Sequence, residues 1–90
     1  MTTKELSEII RREGLNTGYD VGTDNLIILS KGYQKIGQVN YKKPFDVVLN
    51  LHFSRQLLSD ESKQIIFEAV FDFVSTPIED RIEKEELKWQ

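Results

Sequence analysis

Apolar and polar positions change their spacing along the chain, and each change marks a predicted element. The first segment, from Thr2 to Glu13, repeats its apolar side chains at helical spacing, and Thr2 with Glu5 forms a capping box at its start. Gly14 follows, where a helix commonly ends. After it the period falls to two, which is typical of strands. The alternation predicts four strands, near residues 15–21, 26–29, 33–41 and 45–53.

Three of these strands carry further information about the sheet. Residues 26–29 are all apolar, which predicts a strand that is central or covered on both faces. In the next strand Ile36 and Val39 are out of phase, and Gly37 between them would permit a β-bulge that turns both side chains onto the core. The alternation over residues 45–53 is the clearest strand pattern of the chain, with its last residues leading into a loop.

A long helix follows, with Ser59 as its predicted N-cap and an end near residue 75. Its only polar stripe is formed by Gln64, Glu68 and Asp72, at a spacing of four. Since the helix is apolar over most of its circumference, we expect more than one neighbouring element to enclose it, namely the sheet beneath it and the first or last helix beside it.

A second capping box predicts the last helix. Thr76 and Glu79 form this box around Pro77, and the helix would run from Pro77 to about Lys88. It is rich in charge, and it either packs by one edge or projects from the domain. The carboxylates and bases between Glu79 and Glu86 are therefore interpreted as a solvated helix face.

These elements predict one α+β domain over residues 1–90, with residues 77–90 as its charged C-terminal helix. Their order is α-β-β-β-β-α-α. The short connections favour an antiparallel sheet of three or four strands, with helices packed mainly on one face.

The residue inventory excludes several kinds of chemistry. The 90 residues include no cysteine and a single histidine, His52, so a thiolate nucleophile and a disulfide framework are excluded. We predict no enzyme activity and no catalytic, metal-binding or cofactor-binding residues, because no carboxylate at catalytic spacing orients His52. No apolar run approaches the roughly 18–20 residues of a membrane span, and the N-terminus does not resemble a signal peptide. We therefore expect a cytoplasmic protein without a membrane partner.

Charge is polarised along the chain, although the net charge is only −3. Residues 31–55 carry five basic side chains and one acidic one, a local +4, whereas residues 56–90 carry nine acidic and four basic side chains, a local −5. Lysine and tyrosine interleave in the basic part, which could form a small platform for single-stranded nucleic acid. Lysines on edge strands also prevent aggregation, and we favour that interpretation. The residues of the possible platform are Lys31, Tyr33, Lys35, Tyr41, Lys42 and Lys43.

The acidic C-terminal helix is the preferred candidate surface. A negative surface suits a basic protein partner, because complementary charge speeds their encounter. A tryptophan one residue from the end of the chain would either dock on the domain or anchor an interface. The predicted partner-binding residues are Glu79, Asp80, Glu83, Glu86 and Trp89.

Three features in series also suggest a family. The N-terminal helix leads into a hairpin, the long helix ends in the aromatic-rich run 71–75, and Thr-Pro-Ile-Glu-Asp-Arg follows at residues 76–81. This arrangement resembles a group of small proteins encoded by phages and prophages of Gram-positive bacteria, over most of the chain. The resemblance implies an accessory phage protein, with no catalytic residues to transfer. Small phage proteins of this kind commonly bind and modulate a host factor, a defence component or a phage machine.

Two functional hypotheses result. The first is a non-enzymatic phage or prophage accessory protein that binds an unidentified host or phage protein in the cytoplasm of the host bacterium. Its most concrete form is an inhibitor or modulator of a host defence or nucleic-acid-handling protein. The alternative is a small nucleic-acid-binding protein that uses the Lys/Tyr-rich region 31–43. Homo-oligomerisation, through a strand edge or the last helix, stays open under both hypotheses.

Overall fold

The computed structural model describes residues 1–81, and it confirms the α+β class with a four-stranded antiparallel sheet. One helix precedes the sheet; a helical turn, a long helix and a 3-10 helix follow it. The elements are α1 (Thr3–Arg12), β1 (Asn16–Asp20), β2 (Asn25–Leu29), β3 (Lys35–Asn40), β4 (Val47–Leu49), α2 (Leu51–Ser54), α3 (Asp60–Ser75) and the 3-10 helix Ile78–Arg81.

The first helix begins and ends at its predicted signals. Thr2 Oγ1 accepts from the backbone N–H of Glu5 at 3.1 Å, and Glu5 Oε1 accepts from the N–H of Thr2 at 3.2 Å. Gly14 follows α1 with a φ of +103°, a backbone conformation that glycine adopts without strain. The capping box and the glycine stop are therefore both confirmed.

The four strands pair in chain order, so each neighbouring pair is an antiparallel hairpin. β2 lies between β1 and β3, which confirms the prediction of a central strand. On the face of the sheet that packs against α1 and α3, Leu26, Ile28 and Val39 are fully buried. On the opposite face Ile27 is half-buried and Val48 is exposed. The core therefore lies between one face of the sheet and the two helices.

The predicted bulge in β3 is confirmed. The pairing of β2 with β3 shifts between Ile28 and Leu29, which leaves Ile36 as the extra residue of β3. Ile36 is therefore the bulged residue, directly before Gly37. Because of this shift, Ile36 and Val39 both point into the core in spite of their spacing.

Gly37 also allows β4 to approach β3 closely, and this gives a prediction. A Cβ at Gly37 would lie 2.7 Å from Leu49 Cδ2 and 2.8 Å from the carbonyl oxygen of Val48. Gly37→Ala should therefore lower the free energy of unfolding by about 1–3 kcal/mol, measured by urea denaturation. The matched control is Gly32→Ala, whose Cβ would have its nearest neighbour 3.9 Å away. Equal stability of the two variants would contradict the close approach.

The clearest strand pattern of the sequence is largely wrong. β4 is only three residues long, and Phe45 before it has a φ of +58°, which does not belong to a strand. After β4, Asn50 Oδ1 accepts from the N–H of His52 at 2.9 Å, and this cap begins α2. The helical turn buries Phe53 and leaves Leu51 exposed. A local cap and one buried aromatic ring thus override a period-two pattern.

The long helix has its predicted limits and its predicted neighbours, but it is less covered than expected. Ser59 Oγ accepts from the N–H of Ser62 at 3.1 Å, and α3 ends at Ser75. The sheet and α1 both pack on α3, which confirms the two predicted neighbours, but Phe67 and Phe71 are exposed, so these neighbours do not cover its whole circumference. The sheet and α1 bury only one stripe of this helix. Five residues at spacings of three and four form this stripe. These residues are Ile66, Ala69, Val70, Phe73 and Val74.

The chain after α3 differs in part from its prediction. The hydroxyl of Thr76 donates to the carbonyl of Asp72 at 2.7 Å, so Thr76 closes α3. The 3-10 helix at Ile78–Arg81 lies where the charged C-terminal helix is predicted to begin. The remainder of that predicted helix, residues 82–90, lies outside the described residues.

Candidate functional site

Three phenylalanine rings form a continuous contact along the outer side of α3. The rings of Phe67 and Phe71 are stacked, with centroids 4.8 Å apart and planes 13° apart. Phe53 of α2 meets Phe67 edge to face, with centroids 6.4 Å apart. We call Phe53, Phe67 and Phe71 the aromatic stack. Phe53 is buried, whereas Phe67 is 41% and Phe71 57% exposed, so the stack begins in the core and ends at the surface.

The position of the stack on α3 follows from helical spacing. Phe67 and Phe71 are four residues apart and therefore neighbours on the same side of the helix. They lie outside the stripe that faces the sheet and α1. The helical turn α2 and the loop after it also carry exposed apolar side chains, Leu51 and Leu57. Exposed aromatic side chains in contact with one another are typical of binding surfaces, since single exposed apolar residues are the norm elsewhere.

Exposed carboxylates run along α3 next to the stack. Glu61, Glu68 and Asp72 follow one another at helical spacing, and we call them the acidic stripe. Glu68 is three residues from Phe71, which places the two side chains side by side. Glu68 Oε1 accepts from Gln64 Nε2 at 3.0 Å. Within residues 1–81 the single ion pair is that of Lys42 with Asp24, so no basic side chain there forms an ion pair with the stripe.

A further aromatic side chain lies by the C-terminal end of α3. Phe45 has a φ of +58° and is 73% exposed, and its backbone N–H donates to the carbonyl of Val74 at 3.0 Å. A bulky residue in this left-handed region is rare and costs about 1–3 kcal/mol. The hydrogen bond to α3 holds the strained turn in place and keeps an aromatic ring at the surface.

Arg81 is the most unusual buried residue of the described chain. It is 3% exposed and lies over the ring of Phe73, with Cζ 4.5 Å from the ring centroid. Burial lowers the pKa of its guanidinium, because the charged form loses hydration. Four backbone carbonyls replace the lost water, each accepting at 2.9–3.2 Å: those of Thr76, Asn40, Lys43 and Val74.

This arginine fastens the chain after α3 to the sheet. Its Nη1 bonds the end of β3 and the turn after it, while Nε and Nη2 bond the end of α3. The interpretation of Arg81 as one of the solvated charges of the C-terminal helix is therefore wrong. Glu79 and Asp80, directly before it, are exposed. Arg81 thus fixes the position of these two carboxylates at the C-terminal end of α3.

The structure describes two of the five predicted partner-binding residues. Glu79 and Asp80 lie exposed on the 3-10 helix. The other three, Glu83, Glu86 and Trp89, lie outside the described residues. The partner-binding surface on the C-terminal segment therefore stays a prediction.

The six residues of the possible nucleic-acid platform lie in two groups. Lys31, Tyr33 and Lys35 lie exposed in the β2–β3 hairpin, whereas the second group lies in the turn after β3. The length of β3 separates the groups by roughly 17 Å. In the second group Tyr41 is half-buried against Tyr19, with ring centroids 6.2 Å apart, and Lys42 pairs with Asp24 at 3.3 Å; Lys43 is exposed. The six side chains do not form one continuous strip.

The remaining candidates for chemistry within residues 1–81 are His52 and possible metal ligands. His52 is exposed on α2, as expected for a surface histidine. In this part of the chain no three or more His, Cys, Asp or Glu side chains come together as metal ligands would. No helix there has both the length and the apolarity needed to cross a bilayer.

Sequence reasoning missed the aromatic stack and the role of Arg81. A signal for the stack is present: residues 66, 69, 70, 73 and 74 complete a core-facing stripe, which leaves Phe67 and Phe71 outside it. No comparable signal identifies Arg81, since its four acceptors are backbone carbonyls, which every residue carries.

The sequence and the structure were also compared with known proteins. Neither the models of protein families, nor the curated proteins, nor the solved structures contain a match to this chain.

Proposed function

We propose that this chain is a non-enzymatic binding protein whose α3 receives a protein partner on the aromatic stack. The observation that carries the proposal is the stacked pair Phe67 and Phe71, held in contact with one another and exposed to solvent. Aromatic side chains contribute large contact areas at little entropic cost, and they dominate protein interfaces. In the context of its resemblance to phage and prophage proteins, we propose an accessory protein that modulates a host or phage protein in the bacterial cytoplasm.

The structure of the stack supports binding by a rigid surface. Phe67 is in contact with buried Phe53, so the first exposed ring rests on the core. Its neighbour Phe71 is fixed by stacking within the same helix. A partner would therefore meet rings that are already in place, and little side-chain freedom would be lost on binding.

Affinity capture with the full chain tests the proposal. We expect the wild-type protein, immobilised by a tag, to retain a specific protein from a nuclease-treated lysate of a Gram-positive host. The double variant Phe67→Ser/Phe71→Ser should lose this protein, because two aromatic anchors are removed from the interface. Mass spectrometry of the retained proteins measures the difference.

A matched control distinguishes specific binding at the α3 surface from nonspecific binding by exposed apolar side chains. Val48→Ser also removes an exposed apolar side chain, but on the open face of the sheet, and it should retain the partner. The proposal fails if the wild-type protein and both variants retain the same set of proteins. It also fails if the wild-type protein retains the partner only from a lysate that has not been treated with nuclease. The second result would instead favour the nucleic-acid hypothesis.

A further inference from the structure

The charge next to the aromatic stack specifies the kind of partner. We infer that α3 binds a basic amphipathic helix, which places apolar side chains on the stack and lysine or arginine side chains along the acidic stripe. The inference rests on the proposed function, since it names the partner class for the same surface.

The charge distribution of the C-terminal half supports a cationic partner. Residues 60–81 carry six acidic side chains, Asp60, Glu61, Glu68, Asp72, Glu79 and Asp80. They carry two basic ones, of which Arg81 is buried. The other, Lys63, donates to the carbonyl of Ser54 at 2.8 Å and is thus directed towards α2. Apart from Lys63, the charged side chains of α3 are therefore all acidic, and opposite charge on a partner would steer it there.

The shape of the surface favours a helix over an extended peptide. On α3 the two exposed rings of the stack are four residues apart, and the acidic stripe runs beside them on the same helix at spacings of seven and four residues. A second helix presents its own rows at the same spacings, so that one row can pack on the rings while the next faces the carboxylates. An extended peptide would need an open strand edge or separate pockets instead. The sixteen residues of α3 span roughly 24 Å, which matches a partner helix of similar length.

Like-charge repulsion argues against a second copy of this chain as the occupant. A two-fold pairing through α3 would bring the acidic stripe of one copy next to the same stripe of the other. Glu68 and Asp72 would then face carboxylates across the interface, and no cation of α3 lies between them. The chain's own residues 82–90 are a poorer match than a basic helix, because they carry three acidic and two basic side chains.

Two synthetic helical peptides test the inference with the full chain. Both have about 18 residues and the same leucine positions at helical spacing, and their polar positions are all lysine in one and all glutamate in the other. Fluorescence anisotropy of labelled peptide measures binding. We expect the leucine–lysine peptide to bind and the leucine–glutamate peptide to fail at the same concentrations. Raising NaCl from about 50 to about 300 mM should weaken the first complex, because the charges are exposed.

Variants of the chain locate the contact. Glu68→Lys/Asp72→Lys should weaken the leucine–lysine peptide by about 5- to 30-fold, since two attractions become repulsions. Phe71→Ser should weaken it about tenfold through loss of an anchor. Glu8→Lys, an exposed acid on α1, changes the net charge in the same direction and should have little effect. Circular dichroism establishes that each variant is folded.

The possible failures are distinguishable. If the partner captured in the lysate experiment depends on Phe67 and Phe71 but not on Glu68, Asp72 or salt, the basic helix is wrong and the proposed function stands. If Phe71→Ser leaves both the capture and the peptide affinity unchanged, the proposed function fails as well. A wild-type dimer that Phe71→Ser dissociates, or a nuclear Overhauser contact between Trp89 and Phe71 in the free protein, would assign the surface to this chain itself and overturn the inference.

Discussion

Replacing Arg81 with alanine should lower the free energy of unfolding by about 2–4 kcal/mol, a large fraction of the stability of a small domain. The guanidinium donates to four backbone carbonyls, and its removal takes this donor from all of them, although the carbonyl of Val74 keeps the N–H of Phe45. Loss of the contact between Arg81 and the ring of Phe73 adds to the cost. Urea denaturation followed by circular dichroism measures the change.

Two further variants show whether the geometry of Arg81 or only its charge matters. Arg81→Lys keeps the positive charge but replaces a planar fork by a single ammonium, so we expect it to recover less than half of the lost stability. Arg12→Ala removes an exposed arginine from the end of α1 and should change stability by less than about 0.5 kcal/mol. A stability of Arg81→Ala equal to that of Arg12→Ala would contradict the anchoring role.

The second large effect is expected from two phenylalanines that lie two positions apart in the sequence and differ in burial. Phe73 is fully buried and Phe71 is 57% exposed. Phe73→Ala should cost about 3–5 kcal/mol, because it leaves a cavity between α3 and the sheet. Phe71→Ala should cost about 1 kcal/mol or less, because most of its ring already contacts water. The two variants remove the same atoms, so each is the control for the other.

The same pair separates stability from binding. Phe71→Ala should stay folded while it loses the partner, whereas Phe73→Ala should retain the partner at temperatures where it is still folded. Urea midpoints and the capture experiment provide the two measurements. Equal losses of stability would show that α3 is rotated from its described orientation, and would remove the basis of the binding surface.

Local signals in the sequence are sufficient for much of this fold. The capping box at Thr2 and the N-cap at Ser59 correctly begin α1 and α3, because each involves only a few neighbouring residues. The bulge next to Gly37 is also predictable, since two out-of-phase apolar residues can reach the same core only through an extra residue. The antiparallel sheet follows from four short strands with short connections.

Other local signals mislead because a stronger interaction competes with them. The alternation over residues 45–53 is satisfied by a strand or by a turn and a short helix, and the cap of Asn50 with burial of Phe53 favours the helix. The capping box around Pro77 predicts that Thr76 is the N-cap of a following helix. Its hydroxyl bonds the carbonyl of Asp72 instead, at the end of the helix before.

Of the candidate site, only the negative charge could be predicted from the sequence. Composition already shows that the C-terminal half is acidic, and that a basic partner would suit it. It does not show that Phe67 and Phe71 are exposed. The helix has eight apolar residues, and their sequence does not specify which of them its neighbours will bury. How much of α3 its neighbours cover is a property of the packed domain, and here the sheet and α1 cover a single stripe.

The sequence by itself therefore determined the α+β class, the limits of the two main helices and the polarity of charge. The fold class and the helix limits depend on hydrogen bonds and periodicities within a few residues, and the polarity of charge depends on counts of acidic and basic residues. Only the tertiary structure decided which side of α3 meets water and where Arg81 lies. Both depend on groups far apart in the chain: α1 and the sheet for α3, and the carbonyls of Asn40 and Lys43 for Arg81. Carbonyl acceptors leave no mark in the sequence, and the core-facing stripe of α3 is only one of the apolar arrangements that its sequence allows, so packing decides both.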